Sequence, residues 1–185
     1  MLKETILRCN YEEITRAQVR RGKQYYQLNI KLQEIDERCI VLTEIYDHEP
    51  TQADRDTLYS TYLELCKKVK MAEITRHNKS KEVDGFFVNG EHAWLGKEER
   101  SALERILRIQ SNKGAQTYSL YLNGKRYDVD IQSALGMLDN LEVYAMECLK
   151  RTEEHKIAVM ALNDIVEVEN YDPTIGYPEH LQFSL

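Results

Sequence analysis

The chain has 185 residues, of which 42% are hydrophobic and 30% are charged, a balance typical of a globular protein with one domain or two small ones. Three prolines and eight glycines exclude collagen-like and linker-dominated chains. No apolar run approaches the roughly 18 residues of a membrane-spanning helix, and the first residues lack the apolar stretch of a secretory signal. We therefore expect a soluble cytoplasmic protein.

The formal net charge of −6 argues against a general nucleic-acid binder. The charge is uneven, because positions 128–185 carry 12 acidic and three basic residues, whereas a loose basic segment runs from Lys67 to Lys81. This basic segment is either a solvated helix end and linker or a docking patch for an acidic neighbour, such as the C-terminal half of another copy.

The N-terminal third predicts a β-hairpin followed by one helix. Gln24–Leu32 and Arg38–Tyr46 are rich in β-branched and aromatic residues and form the two predicted strands. The first ten residues could add another strand, and Tyr11–Arg21 is interpreted as a short helix or loop.

Thr51 is typical of a helix N-cap, and the apolar stripe that begins at Leu58 continues at helical spacing to about Lys70. Residues 71–84 are polar and lose this period. The sequence therefore predicts a boundary here, with an N-terminal unit over residues 1–78 and a second domain over residues 79–185.

Two Asn-Gly pairs in the second half, Asn89-Gly90 and Asn123-Gly124, lie between apolar patches and predict two tight β-hairpins. A helix is expected over 97–110. Two further helical stripes, over 134–149 and 157–168, predict an antiparallel pair that breaks at Thr152, the expected N-cap of the second helix.

The aromatic tail over residues 171–185 is expected to be an ordered extended segment pinned to the fold. The predicted fold class is therefore α+β: an N-terminal hairpin with one helix, then two hairpins, three helices and this tail.

Residue types with catalytic or metal-binding chemistry are scattered. Cys9, Cys39, Cys66 and Cys148 lack C-x-x-C spacing, which indicates buried free thiols rather than a zinc site. His155 is interpreted as a capping or tail-anchoring imidazole, with a general base as the less favoured alternative. The sequence contains no nucleophile elbow, phosphate loop or H-E-x-x-H motif, so we expect no enzyme activity, cofactor or metal.

The chain has twelve tyrosines, and tyrosine combines a large contact area with a polar tip. The candidate interaction residues lie in predicted strands or turns: Tyr118, Tyr121, Tyr127, Tyr171 and Tyr177. The alternative for each is half-buried packing. Trp94 is expected in the core. The expected structural anchors are Trp94, Asn89, Gly90, Asn123, Gly124 and His155.

Residues 80–185 resemble the family named domain of unknown function 4376, found in tail-region proteins of bacteriophages and prophages, notably of Bacteroides-type gut bacteria. Several separate motifs occur in the family's order: Val83-Asp84-Gly85-Phe86, Val88-Asn89-Gly90, Ala93-Trp94-Leu95, Arg100, Leu141-Glu142-Val143-Tyr144-Ala145, Thr152-Glu153-Glu154-His155-Lys156 and Tyr171-Asp172-Pro173-Thr174-Ile175-Gly176-Tyr177-Pro178.

The resemblance implies a phage or prophage product encoded among tail and tail-fibre components, and it implies no reaction. We expect a non-enzymatic structural or adaptor protein whose partners are other tail or tail-fibre proteins or further copies of itself, and neither nucleic acid nor membrane. It would occur in the host cytoplasm during assembly and in the virion tail if structural. The alternatives are a tail-fibre assembly chaperone and a carbohydrate-contacting receptor module.

Overall fold

Strands and helices are both abundant, and the α+β class is confirmed. The structure, a computed structural model, describes residues 2–185. The strands are β1 (Lys3–Arg8), β2 (Ile14–Arg20), β3 (Lys23–Ile35), β4 (Arg38–Tyr46), β5 (Phe86–Val88), β6 (Glu91–Ala93), β7 (Thr117–Leu122), β8 (Lys125–Asp130) and β9 (Gln182–Phe183). The helices are α1 (Gln52–Asn78), α2 (Lys81–Asp84), α3 (Lys97–Asn112), α4 (Ile131–Ala161) and α5 (Ile165–Asn170).

The chain divides into two compact units. Of the described residues, the first contains 2–72 and 158–171, and the second contains 73–157 and 172–185. The chain thus returns to the first unit within the last turn of α4, which the sequence did not predict. Among residues 2–185, no helix combines the length and the apolarity needed to cross a bilayer.

The first unit is built on a four-stranded antiparallel sheet in the order β1-β4-β3-β2. One face of this sheet packs on α1, with Leu28, Ile30, Leu42 and Leu58 in the shared core. Helix α1 begins as expected: the backbone N–H of Asp54 donates to Thr51 Oγ1 at 3.2 Å, and the N–H of Thr51 donates to Asp54 Oδ2 at 2.8 Å.

Two predictions for this part of the chain were wrong. Residues 14–20 form β2, which pairs with β3, rather than a helix or loop. A two-residue turn joins the two strands, and Arg21 in this turn has a φ of 52°. Arginine is uncommon in this left-handed region, so the turn carried no recognisable signal. Helix α1 also continues past Lys70 to Asn78, where Ile74 is fully buried although most of its neighbours are polar.

The second unit contains both predicted hairpins, β5–β6 and β7–β8. Its core joins them to α3 and α4 through Phe86, Leu107, Leu120 and Leu138. The tail is ordered as expected: β9 pairs in parallel with β5, and the N–H of Phe87 donates to the Leu181 carbonyl at 2.8 Å.

The expected break at Thr152 does not exist, and the predicted antiparallel helix pair was wrong. Residues 131–161 form one continuous helix, α4, followed by the six-residue α5. The Thr152 hydroxyl is fully buried inside α4 and lies 3.0 Å from the carbonyl oxygen of Cys148, one turn earlier. Threonine inside a helix can form a hydrogen bond with the carbonyl four residues earlier, so its hydroxyl is not an N-cap here.

Candidate functional site

The β7–β8 hairpin has one face in the core and one face in solvent. Leu120, Leu122 and Val129 are buried, and the side chains between them point the other way. On the outer face, Tyr121 is paired opposite Arg126, and its side chain is 65% exposed. The hairpin therefore presents a large aromatic ring next to a guanidinium group.

The polar groups of this outer face are held in a fixed arrangement. Asp128 Oδ1 accepts a hydrogen bond from Ser119 Oγ at 2.6 Å and another from Arg126 Nε at 2.9 Å. The hydroxyl of Ser119 and the charge of Arg126 hold the pKa of Asp128 below its usual range. The Arg126 guanidinium is thereby oriented beside Tyr121 in the absence of a partner. We call Ser119, Tyr121, Arg126 and Asp128 the hairpin face.

The turn of the same hairpin is fixed to β6. Asn123 and Gly124 adopt φ of 50° and 76°, and Asn123 Nδ2 donates to the His92 carbonyl at 2.6 Å. Lys125 Nζ lies 2.5 Å from Glu91 Oε1. The Asn123 and Lys125 side chains thus tie the turn of one hairpin to the other hairpin.

The five candidate tyrosines do not form one surface. Tyr118 and Tyr127 pack against the core of the second unit. Tyr177 contacts the ring of His155, with centroids 5.6 Å apart, and Tyr171 is half-buried at the end of α5. These four tyrosines are half-buried, which was the alternative to an interaction role. Tyr121 is the one exposed residue of the five.

The turn residues of the first hairpin hold the tail. Asn89 and Gly90 have φ of 49° and 80°. The Asn89 side chain donates through Nδ2 to the Leu185 carbonyl and accepts from the Leu185 N–H, both at 3.1 Å. The Asn89 amide thus satisfies two backbone groups of the tail.

His155 also anchors the tail. Its ring is buried, and Nε2 lies 2.9 Å from the Ile175 carbonyl, so Nε2 carries the hydrogen and donates it. Burial lowers the pKa of His155 below its usual value, because the charged imidazolium is poorly solvated there. The residue lies inside α4 and not in a first helical turn, so a capping role is excluded.

Trp94 is half-buried rather than in the core. Its indole Nε1 donates to Asp84 Oδ1 at 2.7 Å, and Lys81 Nζ lies 5.7 Å from the ring centroid. Because the indole N–H donates to the carboxylate of Asp84, the ring lies at the edge of the core and not inside it.

Two of the thiols have structural surroundings. Cys148 is buried and donates to the Val83 carbonyl at 3.3 Å, and burial raises the pKa of this thiol. Cys66 lies 3.7 Å from Glu169 Oε1, and burial together with the Glu169 charge raises its pKa to about 11. Both thiols therefore contact neighbouring groups of the fold.

The other two thiols form a cluster that the sequence did not predict. Cys9 and Cys39 are 30 residues apart, yet their sulphur atoms lie 2.8 Å from each other. The Glu34 carboxylate is close enough that one ligand atom from each residue lies within 4.8 Å of the others. The pairing register of β1 with β4 brings the two cysteines together, and the sequence spacing of cysteines does not reveal this register.

Comparison of the chain with protein-family models, with curated proteins and with solved structures finds no match. The resemblance of residues 80–185 to domain of unknown function 4376 therefore stays a prediction.

Proposed function

We propose that this chain is a non-enzymatic structural or adaptor protein of a bacteriophage or prophage tail that acts through protein–protein contacts. The observation that carries the interaction role is the exposed Tyr121 ring beside Arg126 on the hairpin face. Tyrosine and arginine are enriched among the residues that dominate binding energy at protein interfaces. The phage context rests on the resemblance of residues 80–185.

The rigidity of the hairpin face supports this role. Asp128 holds Arg126, and the Asn123 and Lys125 side chains tie the turn to β6. A side chain that is ordered before binding loses less conformational entropy on association. The hairpin face is therefore suited to binding a partner without rearrangement.

Two side chains with potentially catalytic chemistry make structural contacts in the second unit. The Cys148 thiol and the His155 imidazole are buried and bonded to the carbonyls of Val83 and Ile175. Both groups hold chain segments together, and neither is presented to a substrate.

Mass spectrometry of purified virions from the phage or induced prophage that encodes the chain tests the tail role. We expect the protein at a fixed ratio to the tail proteins. Its absence from particles together with abundance in the lysate would contradict a virion component and favour the assembly chaperone.

Substitution of the exposed ring tests the hairpin face. Tyr121→Ala should weaken binding to the tail partner found in the particles at least tenfold while leaving the thermal unfolding temperature unchanged. Met146→Ala on α4 is the control, because Met146 is 62% exposed and lies outside the hairpin face. Equal affinities for both variants would contradict the proposal. Tyr121-dependent binding to a purified surface polysaccharide would instead favour the carbohydrate-contacting alternative.

A further inference from the structure

The cross-strand approach of Cys9 and Cys39 is set by the backbone of the first unit. Leu7 on β1 is paired opposite Cys39 on β4, so Cys9, two residues later, lies diagonally across from Cys39 on the same face of the sheet. The N–H of Cys9 donates to the Glu37 carbonyl at 3.2 Å, which continues the strand pairing up to Cys9. The sulphur contact is therefore a consequence of strand register.

We propose that Cys9 and Cys39 are a dithiol pair that a small-molecule disulfide oxidises to a disulfide between β1 and β4. Their sulphur atoms, 2.8 Å apart, are already closer than the roughly 3.5–4 Å at which non-bonded heavy atoms rest. A bond of about 2.05 Å requires a further approach of less than an ångström.

A divalent soft metal held by the two thiolates and Glu34 is the competing occupant, and two observations disfavour it. Tetrahedral zinc with bonds of about 2.3 Å to each thiolate needs sulphurs roughly 3.8 Å apart, so this pair would have to separate. The Glu34 carboxylate is also engaged by Lys31, whose Nζ lies 3.1 Å from Oε2. An ammonium group at this distance would repel an incoming cation.

The difference in exposure assigns a role to each cysteine. Cys9 is half-buried and Cys39 is fully buried, so the Cys9 thiolate attacks the small-molecule disulfide and releases one thiol. The Cys39 thiolate then attacks the Cys9 sulphur of the mixed disulfide and displaces the second thiol. The protein gives up two protons and two electrons, and the oxidant is reduced to two thiols.

The surroundings of Cys9 slow the first step, and Glu34 is one of the groups responsible. The hydrogen bond with Cys39, burial, and the charges of Cys39 and Glu34 raise the pKa of Cys9 to about 12. Little Cys9 thiolate exists near neutral pH, so oxidation should be slow. Glu34→Gln removes a negative charge and should accelerate cross-linking severalfold, whereas the same substitution would weaken a metal site.

The experiment treats the full chain with oxidised glutathione, alkylates the remaining thiols and maps the peptides by mass spectrometry. We expect a peptide in which Cys9 is linked to Cys39, and a melting temperature for the oxidised protein that is about 5–10 °C higher. Cys39→Ser should retain one glutathione on Cys9, and Cys9→Ser should retain none on Cys39. Cys66→Ser is the matched control and should cross-link as the parent does.

Peptide mapping of the parent protein does not depend on whether a variant folds. Alkylation of Cys9 and Cys39 in the glutathione-treated parent, with no linked peptide, would overturn the proposal. Stoichiometric binding of Zn²⁺ to the reduced protein that is lost in both Cys9→Ser and Glu34→Gln would also overturn it, since the cluster would then be a metal site.

Discussion

The hydroxyl groups of Thr152 and Tyr177 lie 3.0 Å apart, which joins the interior of α4 directly to the tail. Thr152 Oγ1 also lies 2.8 Å from Asn78 Oδ1 at the end of α1. The one hydrogen of this buried hydroxyl is shared between Asn78 Oδ1 and the Cys148 carbonyl, and its oxygen can accept from the Tyr177 hydroxyl, so its loss would weaken the contacts with both of the other segments.

Thr152→Val should destabilise the second unit by about 1–3 kcal/mol, because valine keeps the shape but leaves buried polar groups unsatisfied. Urea unfolding followed by the fluorescence of Trp94, the single tryptophan, measures this change within the same unit. Thr152→Ser retains the hydroxyl and should reduce the stability of the second unit far less. Equal destabilisation by the two variants would show that the methyl group, not the hydroxyl, is the important contact.

Protonation of His155 should weaken the docking of the tail in mild acid, because burial disfavours the charged ring. The folded-state pKa lies below the ordinary value of 6.5, so the unfolded chain binds the proton first. The stability contributed by neutral His155 is therefore complete above pH 6.5 and is lost as the pH falls from 6.5 through the lowered pKa. Hydrogen exchange at the Phe87 amide, which donates to the tail, should accelerate over this interval.

His155→Gln is the matched variant for this effect, since glutamine can still donate to the Ile175 carbonyl and has no charge to gain. In this variant, the rate of hydrogen exchange at the Phe87 amide should change with pH only as the intrinsic exchange rate of an amide does. A persistent acid response in His155→Gln would mean that another group controls the docking of the tail.

The sequence predicted those elements whose signals are local. Asn89-Gly90 and Asn123-Gly124 identified both hairpins of the second unit, because asparagine and glycine tolerate the positive φ that the turns require. Arg21 adopts the same conformation without being typical of it, so β2 was missed. Thr152 resembles an N-cap in sequence, and only its tertiary contacts show that it belongs inside α4.

The candidate sites were less predictable than the fold. Tyr121 and Tyr127 both lie in one hairpin, and the strand alternation that separates the exposed ring from the packed one depends on register. The Cys9–Cys39 contact depends on the pairing of two strands that are separated by the whole of β2 and β3. Such long-range pairings are invisible to motif spacing within a single sequence.

Glu169, which lies beside Glu4 in the first unit, should titrate near neutral pH. Burial, followed by the hydrogen bond and charge of Glu4, raises the pKa of Glu169 to about 7, whereas Cys66 and Lys70 act in the opposite direction. Glu4 also accepts a short hydrogen bond from Tyr62. Since the folded-state pKa is raised, the stabilisation is complete below about pH 4.5 and is lost as the pH rises through about 7.

Carbon-13 NMR of the carboxyl groups should therefore resolve an apparent pKa near 7 for Glu169. Glu4→Gln removes the neighbouring charge and should shift that titration downward. A Glu169 titration at its ordinary value in the parent protein would contradict the arrangement.

Two glycines of the second unit should respond to alanine in opposite directions. At Gly85, between α2 and β5, an added Cβ would overlap the Lys81 carbonyl oxygen and His92 Nε2, and the backbone atom cannot turn aside. Gly85→Ala should therefore destabilise the second unit by about 1–3 kcal/mol, the usual range for overpacking.

Gly136 is exposed inside α4, where a Cβ meets nothing within 4 Å. Gly136→Ala should stabilise the unit by about 0.5–1 kcal/mol, because alanine loses less backbone entropy in a helix. Urea unfolding monitored at Trp94 measures both variants, and a stabilising Gly85→Ala would refute the close approach of the Lys81 carbonyl and the His92 ring to Gly85.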